Sequence, residues 1–199
     1  MSSENPETRI RILDAALALL EGGQGSGVRM ADIAKQTGIS RQAVYLHFST
    51  RAELLIATTL YVDEIKGVED RLTPSRTALS GPARLDAYIE AWGNYIPEIY
   101  GIAKALLAMK DTDEAAAAAW DSRMQAVREG CAAAITALKD DSRLSAGLPV
   151  DQATDLLWTM LSVRNWEQLT VDCGWSQKKY IAATKRLARR AFVMEGAAE

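Results

Sequence analysis

Apolar residues recur at three- and four-residue steps along most of the chain, and no stretch alternates convincingly between apolar and polar positions. This period predicts helices throughout. The first helix ends at Gly22-Gly23, as expected where glycine terminates a helix. Its apolar face consists of Ile10, Leu13, Leu17 and Leu20. Residues 24–27 are predicted to form a loop.

Two short helices are predicted next, from about Arg29 to Gln36 and from Arg41 to His47. The tight turn Thr37-Gly38-Ile39 separates them, and Ser40 is a good N-cap for the second. Thr50 and Glu53 have the spacing of a capping box, which predicts a longer helix that continues to about Leu72.

Five more helices are predicted over 82–95, 97–110, 112–139, 151–172 and 176–194. Thr73-Pro74-Ser75 is expected to end the preceding helix, and Gly81-Pro82 to start the next. Pro97 is expected to break or kink the chain, because proline has no N–H to donate within a helix. The predicted fold class is therefore all-α.

Two short helices joined by a turn that contains glycine are typical of the helix-turn-helix. Such a unit places its second helix in the major groove of DNA, while the first crosses the phosphate backbone. At 100° per residue, Val44 and Phe48 share one face, which should turn inward with Ile33 and Ile39.

The opposite face of this second helix carries the predicted DNA contacts. Glutamine can pair with adenine and arginine with guanine, while alanine and leucine can touch a thymine methyl group. Tyr45, His47 and Arg51 are better placed for phosphate, and Arg51 lies in the first turn of its helix. The complete predicted set is Arg29, Ser40, Arg41, Gln42, Ala43, Tyr45, Leu46, His47 and Arg51.

The run ADIAKQTGISRQAVYLHF, residues 31–48, followed by Arg51-Ala52-Glu53-Leu54-Leu55, resembles the TetR family of transcriptional regulators. Tyr45, His47 and Phe48 match the family's aromatic-x-His-Phe motif, and Arg51 keeps the charge of its usual lysine. The sequence departs from the pattern at Val28, where a Ser or Thr N-cap is common, and at Leu46, where a second aromatic is common.

The resemblance implies an all-helical homodimer with about nine helices per subunit. Residues 6–66, with the helix-turn-helix at 29–48, would bind DNA, and residues 67–199 would bind a ligand and form the dimer. The implied function is a repressor that leaves a palindromic operator in double-stranded DNA when a small molecule binds. Activation instead of repression stays open.

Aromatic residues lie on helical stripes in the C-terminal two-thirds, which contains all five tryptophans. These stripes favour either an ordinary hydrophobic core or a pocket for a small apolar or aromatic ligand. The candidate polar anchors are Arg123, Arg164, Asn165 and Glu167, and each is equally compatible with an exposed or paired position. The predicted ligand set is Tyr88, Trp92, Tyr95, Trp120, Arg123, Met124, Trp158, Leu161 and Asn165.

The last two predicted helices have apolar faces suited to a second copy of the chain. The candidate dimer residues are Leu156, Leu157, Met160, Leu169, Tyr180, Leu187 and Phe192. The basic residues of the final helix are interpreted as a solvated face and not as a second DNA site.

Charge argues against general attraction to nucleic acid. The 199 residues carry a net charge of −3, and residues 1–55 hold six basic and six acidic side chains. DNA binding must therefore depend on locally placed groups, with modest affinity for random sequence. This neutrality also leaves an alternative open, a helical interaction protein that has kept the fold and lost DNA binding.

An enzyme is not predicted. The single histidine, His47, lies in the predicted recognition helix, and no nucleophile motif is present. Cys131 and Cys173 match no metal spacing and are interpreted as free thiols, so neither a metal nor a cofactor is expected. The N-terminus lacks the pattern of a signal peptide and no apolar run is long enough to span a bilayer, which predicts a cytoplasmic protein.

Overall fold

The computed structural model describes residues 5–22 and 28–194, and the predicted loop at 24–27 lies outside them. The described part is helical, apart from turns and one isolated bridge between Leu144 and Val193. The all-α prediction is therefore confirmed. A π-helical segment, Gln168–Asp172, continues α9. The helices are α1 (Pro6–Glu21), α2 (Met30–Thr37), α3 (Arg41–His47), α4 (Arg51–Ile65), α5 (Val68–Arg76), α6 (Gly81–Met109), α7 (Glu114–Asp140), α8 (Val150–Met160), α9 (Val163–Glu167) and α10 (Gln177–Phe192).

The chain forms two compact units, and α6 and α7 each contribute to both. Unit 1 comprises the residues up to Lys66 together with Ile99–Met124. Unit 2 comprises Gly67–Glu98 and the residues from Gln125 onward. Helices α1 to α4 thus share a unit with the second part of α6 and the first part of α7. In the part of the chain that the structure describes, no helix is long and apolar enough to cross a bilayer.

The core of unit 1 surrounds α1, whose buried stripe differs from the predicted one. Ile10 is 47% exposed, whereas Ile12 and Ala16 are completely buried. Leu13 and Leu20 are buried as expected. The contact face of α1 therefore includes Ile12, Ala15 and Ala16 and leaves out Ile10. The helix starts as its sequence suggests, with Asn5 Oδ1 accepting from the Glu7 amide at 3.1 Å and Pro6 in the first turn.

The prediction of one helix from Thr50 to Leu72 was wrong. Helix α4 ends at Ile65, and Gly67 adopts a left-handed backbone conformation (φ 64°) before α5 begins. Only glycine adopts that conformation without strain, so Gly67 marks the break. Pro74, expected to end the helix, lies inside α5. Its cost is small there because Asp70, whose carbonyl loses its helical donor, is exposed to solvent.

Pro97 does not break the chain, which corrects the predicted boundary between 95 and 97. Helix α6 runs through it from Gly81 to Met109. Proline has no N–H for the carbonyl four residues earlier, which belongs to Gly93. In unit 2 the side-chain amide of Gln177 donates to this carbonyl, and its oxygen accepts from Trp166 Nε1 at 2.9 Å. A residue from α10 therefore replaces the missing helical donor.

The predicted helix over 151–172 is divided into α8, α9 and the π-helical segment. The division falls at Leu161 and Ser162, where Ser162 caps α9 by accepting from the Asn165 amide at 3.2 Å. The Leu161 carbonyl accepts a hydrogen bond from Trp92 Nε1 at 2.7 Å. The Leu161 carbonyl and the Asn165 amide, which lie at the two sides of the break, are thus both hydrogen-bonded. The chain can therefore divide here although its sequence has a continuous helical period.

Candidate nucleic-acid interface

The turn between α2 and α3 is built as the sequence predicts. Gly38 has a left-handed conformation (φ 71°) at the end of α2. Ser40 Oγ then accepts from the Ala43 amide at 3.1 Å, which confirms its N-cap role. Arg11 donates to the Thr37 carbonyl at 2.6 Å, so α1 holds the end of α2 in place. The two helices and their turn form a helix-turn-helix.

The inward face of α3 is also as predicted. Val44 and Phe48 are completely buried, and both lie in the core with Ile33. Ile39 is partly buried against the same cluster. The Arg9 guanidinium lies 4.2 Å from the centroid of the Phe48 ring, an arrangement that adds a cation–π contact. The buried face fixes the rotation of α3 about its axis and therefore which residues face solvent.

The outward face of α3 presents Arg41, Gln42, Tyr45 and Leu46, and all four are exposed. Leu46 is 70% exposed, although leucine in a folded domain is usually covered. Arg41 donates to the Tyr45 hydroxyl at 3.3 Å and lies over its ring. The side chain of Ala43 is partly exposed beside them. This surface combines hydrogen-bonding and apolar groups of the kinds that read base edges.

The remaining predicted DNA residues lie in different environments. Arg29 is exposed and pairs with Asp32 at 3.0 Å. His47 is partly buried, and among the described residues its Nδ1 has no hydrogen-bond partner. Arg51, the first residue of α4, is engaged within the protein. Its Nη1 lies 2.6 Å from both carboxylate oxygens of Asp113, and its Nε donates to the Val28 carbonyl.

Asp113 is a residue that the sequence interpretation missed. Its Oδ1 accepts from the Ala115 and Ala116 amides at 3.0 and 3.2 Å, which caps α7. Partial burial raises the pKa of Asp113, but the hydrogen bond from Arg51 and those backbone amides outweigh it, so the pKa lies below its ordinary value. An aspartate directly before an alanine-rich helix is a recognisable N-cap signal, although it does not indicate the pairing with Arg51.

The capping box at α4 is confirmed in part. Thr50 Oγ1 accepts from the Glu53 amide at 3.1 Å, as predicted. The Glu53 carboxylate returns to Ser49, accepting from its amide at 2.9 Å and its hydroxyl at 2.7 Å. The hydrogen bonds from Ser49 lower the pKa of Glu53. The reciprocal bond therefore involves the residue before the cap and fixes the connection between α3 and α4.

Six of the predicted ligand residues lie in unit 2, and the side chains of three of them donate to backbone carbonyls. Tyr88 donates its hydroxyl to Val127 at 2.8 Å, and burial raises the pKa of Tyr88 well above its ordinary value. Trp92 donates to Leu161, and the Asn165 side chain to Thr159 at 2.6 Å. The Trp92 and Tyr95 rings lie 6.0 Å apart. Trp158 is partly exposed and Leu161 is buried.

The other three predicted ligand residues, Trp120, Arg123 and Met124, lie in unit 1. Trp120 packs against the core of that unit. Arg123 forms an ion pair with Asp63 of α4, and both side chains are mostly buried. Arg123 is therefore committed to an acidic partner in this structure.

The predicted dimer residues fall into two groups. Leu157, Tyr180 and Phe192 are completely buried within unit 2, so their assignment to a surface is corrected. Each occupies the inward face of its helix, a distinction that the apolar pattern alone does not make. Leu156 and Leu187 are 52% and 55% exposed, while Met160 and Leu169 are partly exposed. Val171, which the sequence interpretation missed, is also exposed.

The structure thus defines a helix-turn-helix DNA-binding regulator, with a recognition helix that is buried on one face and open on the other. Residues 12–58 match the family model described as bacterial regulatory proteins, tetR family. This match confirms the resemblance of the N-terminal segment to the TetR family.

Similarity to individual proteins extends beyond that segment. The chain is 28% identical to the HTH-type transcriptional regulator CymR of Pseudomonas putida over 181 residues, which are 87% of this chain and 82% of that one. It is 33% identical to the nucleoid occlusion factor SlmA of Marinomonas sp. (strain MWYL1), but only over 64 residues, 32% of each chain. A putative transcriptional regulator from Saccharomonospora viridis, solved in complex with choline, shares the fold with a TM-score of 0.73. That match covers 96% of this chain and 100% of the other at 16% identity.

Proposed function

We propose that the protein is a dimeric repressor that binds a palindromic operator and leaves it when a small molecule binds. The observation that carries the proposal is the open face of α3, with Arg41, Gln42 and Leu46 exposed above a buried Val44 and Phe48. A solvated helix face rarely combines these residue types, whereas a major-groove contact uses all of them. Residues 6–66 would bind DNA, and 67–199 would bind ligand and form the dimer.

DNase I footprinting on the promoter region beside its own gene tests the proposal. We expect protection of a palindrome whose half-sites are centred about one turn of B-DNA apart, ~34 Å. An unprotected promoter, together with no binding to a library of random duplexes, would favour the interaction protein that has lost DNA binding. The proposed function includes no catalytic step.

The dimer is proposed to form through the exposed apolar side chains of unit 2. Leu156 of α8 and Leu187 of α10 are each more than half exposed, and Val171 in the π-helical segment is 56% exposed. Removing such side chains from water favours association by about 25 cal/mol per Å² of apolar surface. A self-complementary surface also agrees with a two-fold symmetric operator.

Glutamate at both Leu156 and Leu187 is expected to convert the protein to a monomer, because each subunit would have to bury two negative charges in the interface. Sedimentation velocity measures the change, and operator affinity should fall by at least tenfold. Leu79→Glu is the matched control, since Leu79 is fully exposed in the segment before α6. A dimer that survives both glutamates would place the interface elsewhere.

The ligand is proposed to be small and largely apolar. The support is the group of predicted ligand residues in unit 2, here called the aromatic cluster. Tyr88, Trp92 and Asn165 of this group donate to backbone carbonyls, and the Trp92 and Tyr95 rings lie 6.0 Å apart. A ligand would then meet mainly the apolar faces of Trp92, Tyr95 and Trp158. The choline complex of the Saccharomonospora viridis regulator is consistent with small-molecule binding in this fold.

Tryptophan fluorescence is expected to report the ligand. A compound that releases the protein from its operator should change the emission, and Trp92→Phe should remove at least half of that change because Trp92 lies in the proposed cluster. Trp175→Phe is the control, since Trp175 lies near the start of α10 under the Lys179 ammonium, 4.1 Å from its ring centroid. An effector response that persists in Trp92→Phe and disappears in Trp175→Phe would contradict this location.

A further inference from the structure

The contact between Arg51 and Asp113 joins three parts of unit 1. Arg51 opens α4, Asp113 precedes α7, and Val28 precedes Arg29, the N-cap of α2. The guanidinium reaches both Asp113 carboxylate oxygens at 2.6 Å through Nη1 and the Val28 carbonyl through Nε. One side chain thus connects the start of α7 to the start of the helix-turn-helix.

Each end of this connection is itself held. The Asp113 carboxylate accepts from two backbone amides of α7, and Val28 is buried in the core of unit 1 at 5% exposure. The Arg51 and Asp113 side chains are only 23% and 21% exposed. A partly buried, charge-assisted contact with fixed ends constrains position more strongly than an exposed ion pair does.

The contact with Asp113 also determines whether the Arg51 guanidinium is available to bind a DNA phosphate. An arginine that binds phosphate must present its positive charge to the DNA, whereas Asp113 neutralises the charge of Arg51 here. A phosphate oxygen would have to displace a carboxylate that α7 holds in place. The geometry therefore favours a role for Arg51 inside the protein.

We propose that Asp113 is a positioning residue for DNA binding, which acts through Arg51 and the Val28 carbonyl to fix the start of α2. Operator affinity then depends on an acidic residue outside the helix-turn-helix. Arg51 belongs to this connection and not to the phosphate contacts. The DNA readout of this inference rests on the proposed function.

The test compares Asp113→Asn, Arg51→Met and Arg51→Lys with the unmodified full chain. Asparagine can still accept from the Ala115 and Ala116 amides, so the cap of α7 is kept while the charge is lost. Asp155→Asn is the matched control, because Asp155 accepts from Arg128 at 2.7 Å in an exposed pair of unit 2. Operator affinity is measured at several salt concentrations, with the active fraction set by stoichiometric titration.

We expect Asp113→Asn and Arg51→Met each to raise the operator Kd roughly tenfold with an unchanged salt dependence, while Asp155→Asn has no effect. Arg51→Lys should also bind weakly, because one ammonium group cannot bridge Val28 and Asp113 together. The inference is overturned if Asp113→Asn binds as tightly as the unmodified protein, or tighter. It is also overturned if Arg51→Met lowers the salt slope by about one, as loss of a phosphate contact would.

Hydrogen exchange supplies a readout that needs no DNA. The Asp32 and Ile33 amides donate to the Arg29 carbonyl at 3.0 and 3.2 Å in the first turn of α2. These amides should exchange faster in Asp113→Asn and be unchanged in Asp155→Asn. Unchanged protection in Asp113→Asn overturns the inference. If the unmodified protein binds no operator, the proposed function fails while this exchange experiment still decides the positioning role.

Discussion

Alanine at both Arg41 and Gln42 is expected to abolish the operator footprint while leaving the fold intact. Each good bidentate contact to a base contributes about 1–3 kcal/mol of discrimination, so two together correspond to roughly a hundredfold or greater loss of specific affinity. Both side chains are exposed and neither contributes to the buried face of α3. The melting temperature should therefore change little.

A matched control uses the same substitutions at exposed positions of unit 2. Gln125→Ala with Arg76→Ala removes one glutamine and one arginine from α7 and α5, where both are exposed. This variant should protect the palindrome like the unmodified protein. Equal loss of affinity in both double variants would mean that general positive charge, and not base readout by α3, accounts for the binding.

The affinity for random DNA offers a second check on the same interpretation. Residues 1–55 carry six basic and six acidic side chains, so little net charge is available for phosphate. The double alanine variant should therefore lose specific binding almost completely and retain only weak, non-specific binding. Tight binding to random duplexes with a steep salt dependence would contradict base readout as the main source of affinity.

Alanine at Gln177 is expected to lower the free energy of unfolding of unit 2 by about 2–3 kcal/mol. The substitution removes the donor to the Gly93 carbonyl and the acceptor of Trp166 Nε1. Both groups lie inside unit 2, where a lost hydrogen bond is costly. Gln152→Ala, on the exposed side of α8, is the control and should have almost no effect.

A double-mutant cycle with Pro97→Ala identifies the reason for this cost. Alanine at 97 restores the backbone N–H that can donate to Gly93 within α6, so the loss of Gln177 should matter less in that background. We expect a coupling free energy of about 1–2 kcal/mol from chemical denaturation. Additive effects would show that Gln177 does not compensate for the missing proline donor.

Local sequence signals determined the helix-turn-helix almost completely. The N-cap at Ser40, the glycine turn at Gly38 and the apolar spacing of Val44 and Phe48 act over a few residues, so the chain itself specifies them. The rotation of α3 follows from that spacing, and so does its exposed face. For the same reason the helical period predicted the all-α fold.

Tertiary contacts decided what the local pattern left open. Pro97 continues a helix because Gln177, distant in sequence, donates to Gly93. Apolar positions of α8 and α10 divide into core and surface, so Tyr180 is buried while Leu187 is exposed. Helical periodicity identifies an apolar stripe but not what covers it, and therefore cannot separate a core contact from a dimer contact.

The pairing of Arg51 with Asp113 is the clearest case at the candidate site. The first turn of α4 marks Arg51 as able to reach an anion, and that much follows from its position in the sequence. Which anion it meets depends on where α7 begins in space, and the structure places the Asp113 carboxylate 2.6 Å away. Sequence thus determined the helix-turn-helix and its recognition surface, whereas only the packing of distant segments decided which charges are free to act, because a charge is neutralised by its neighbours in space.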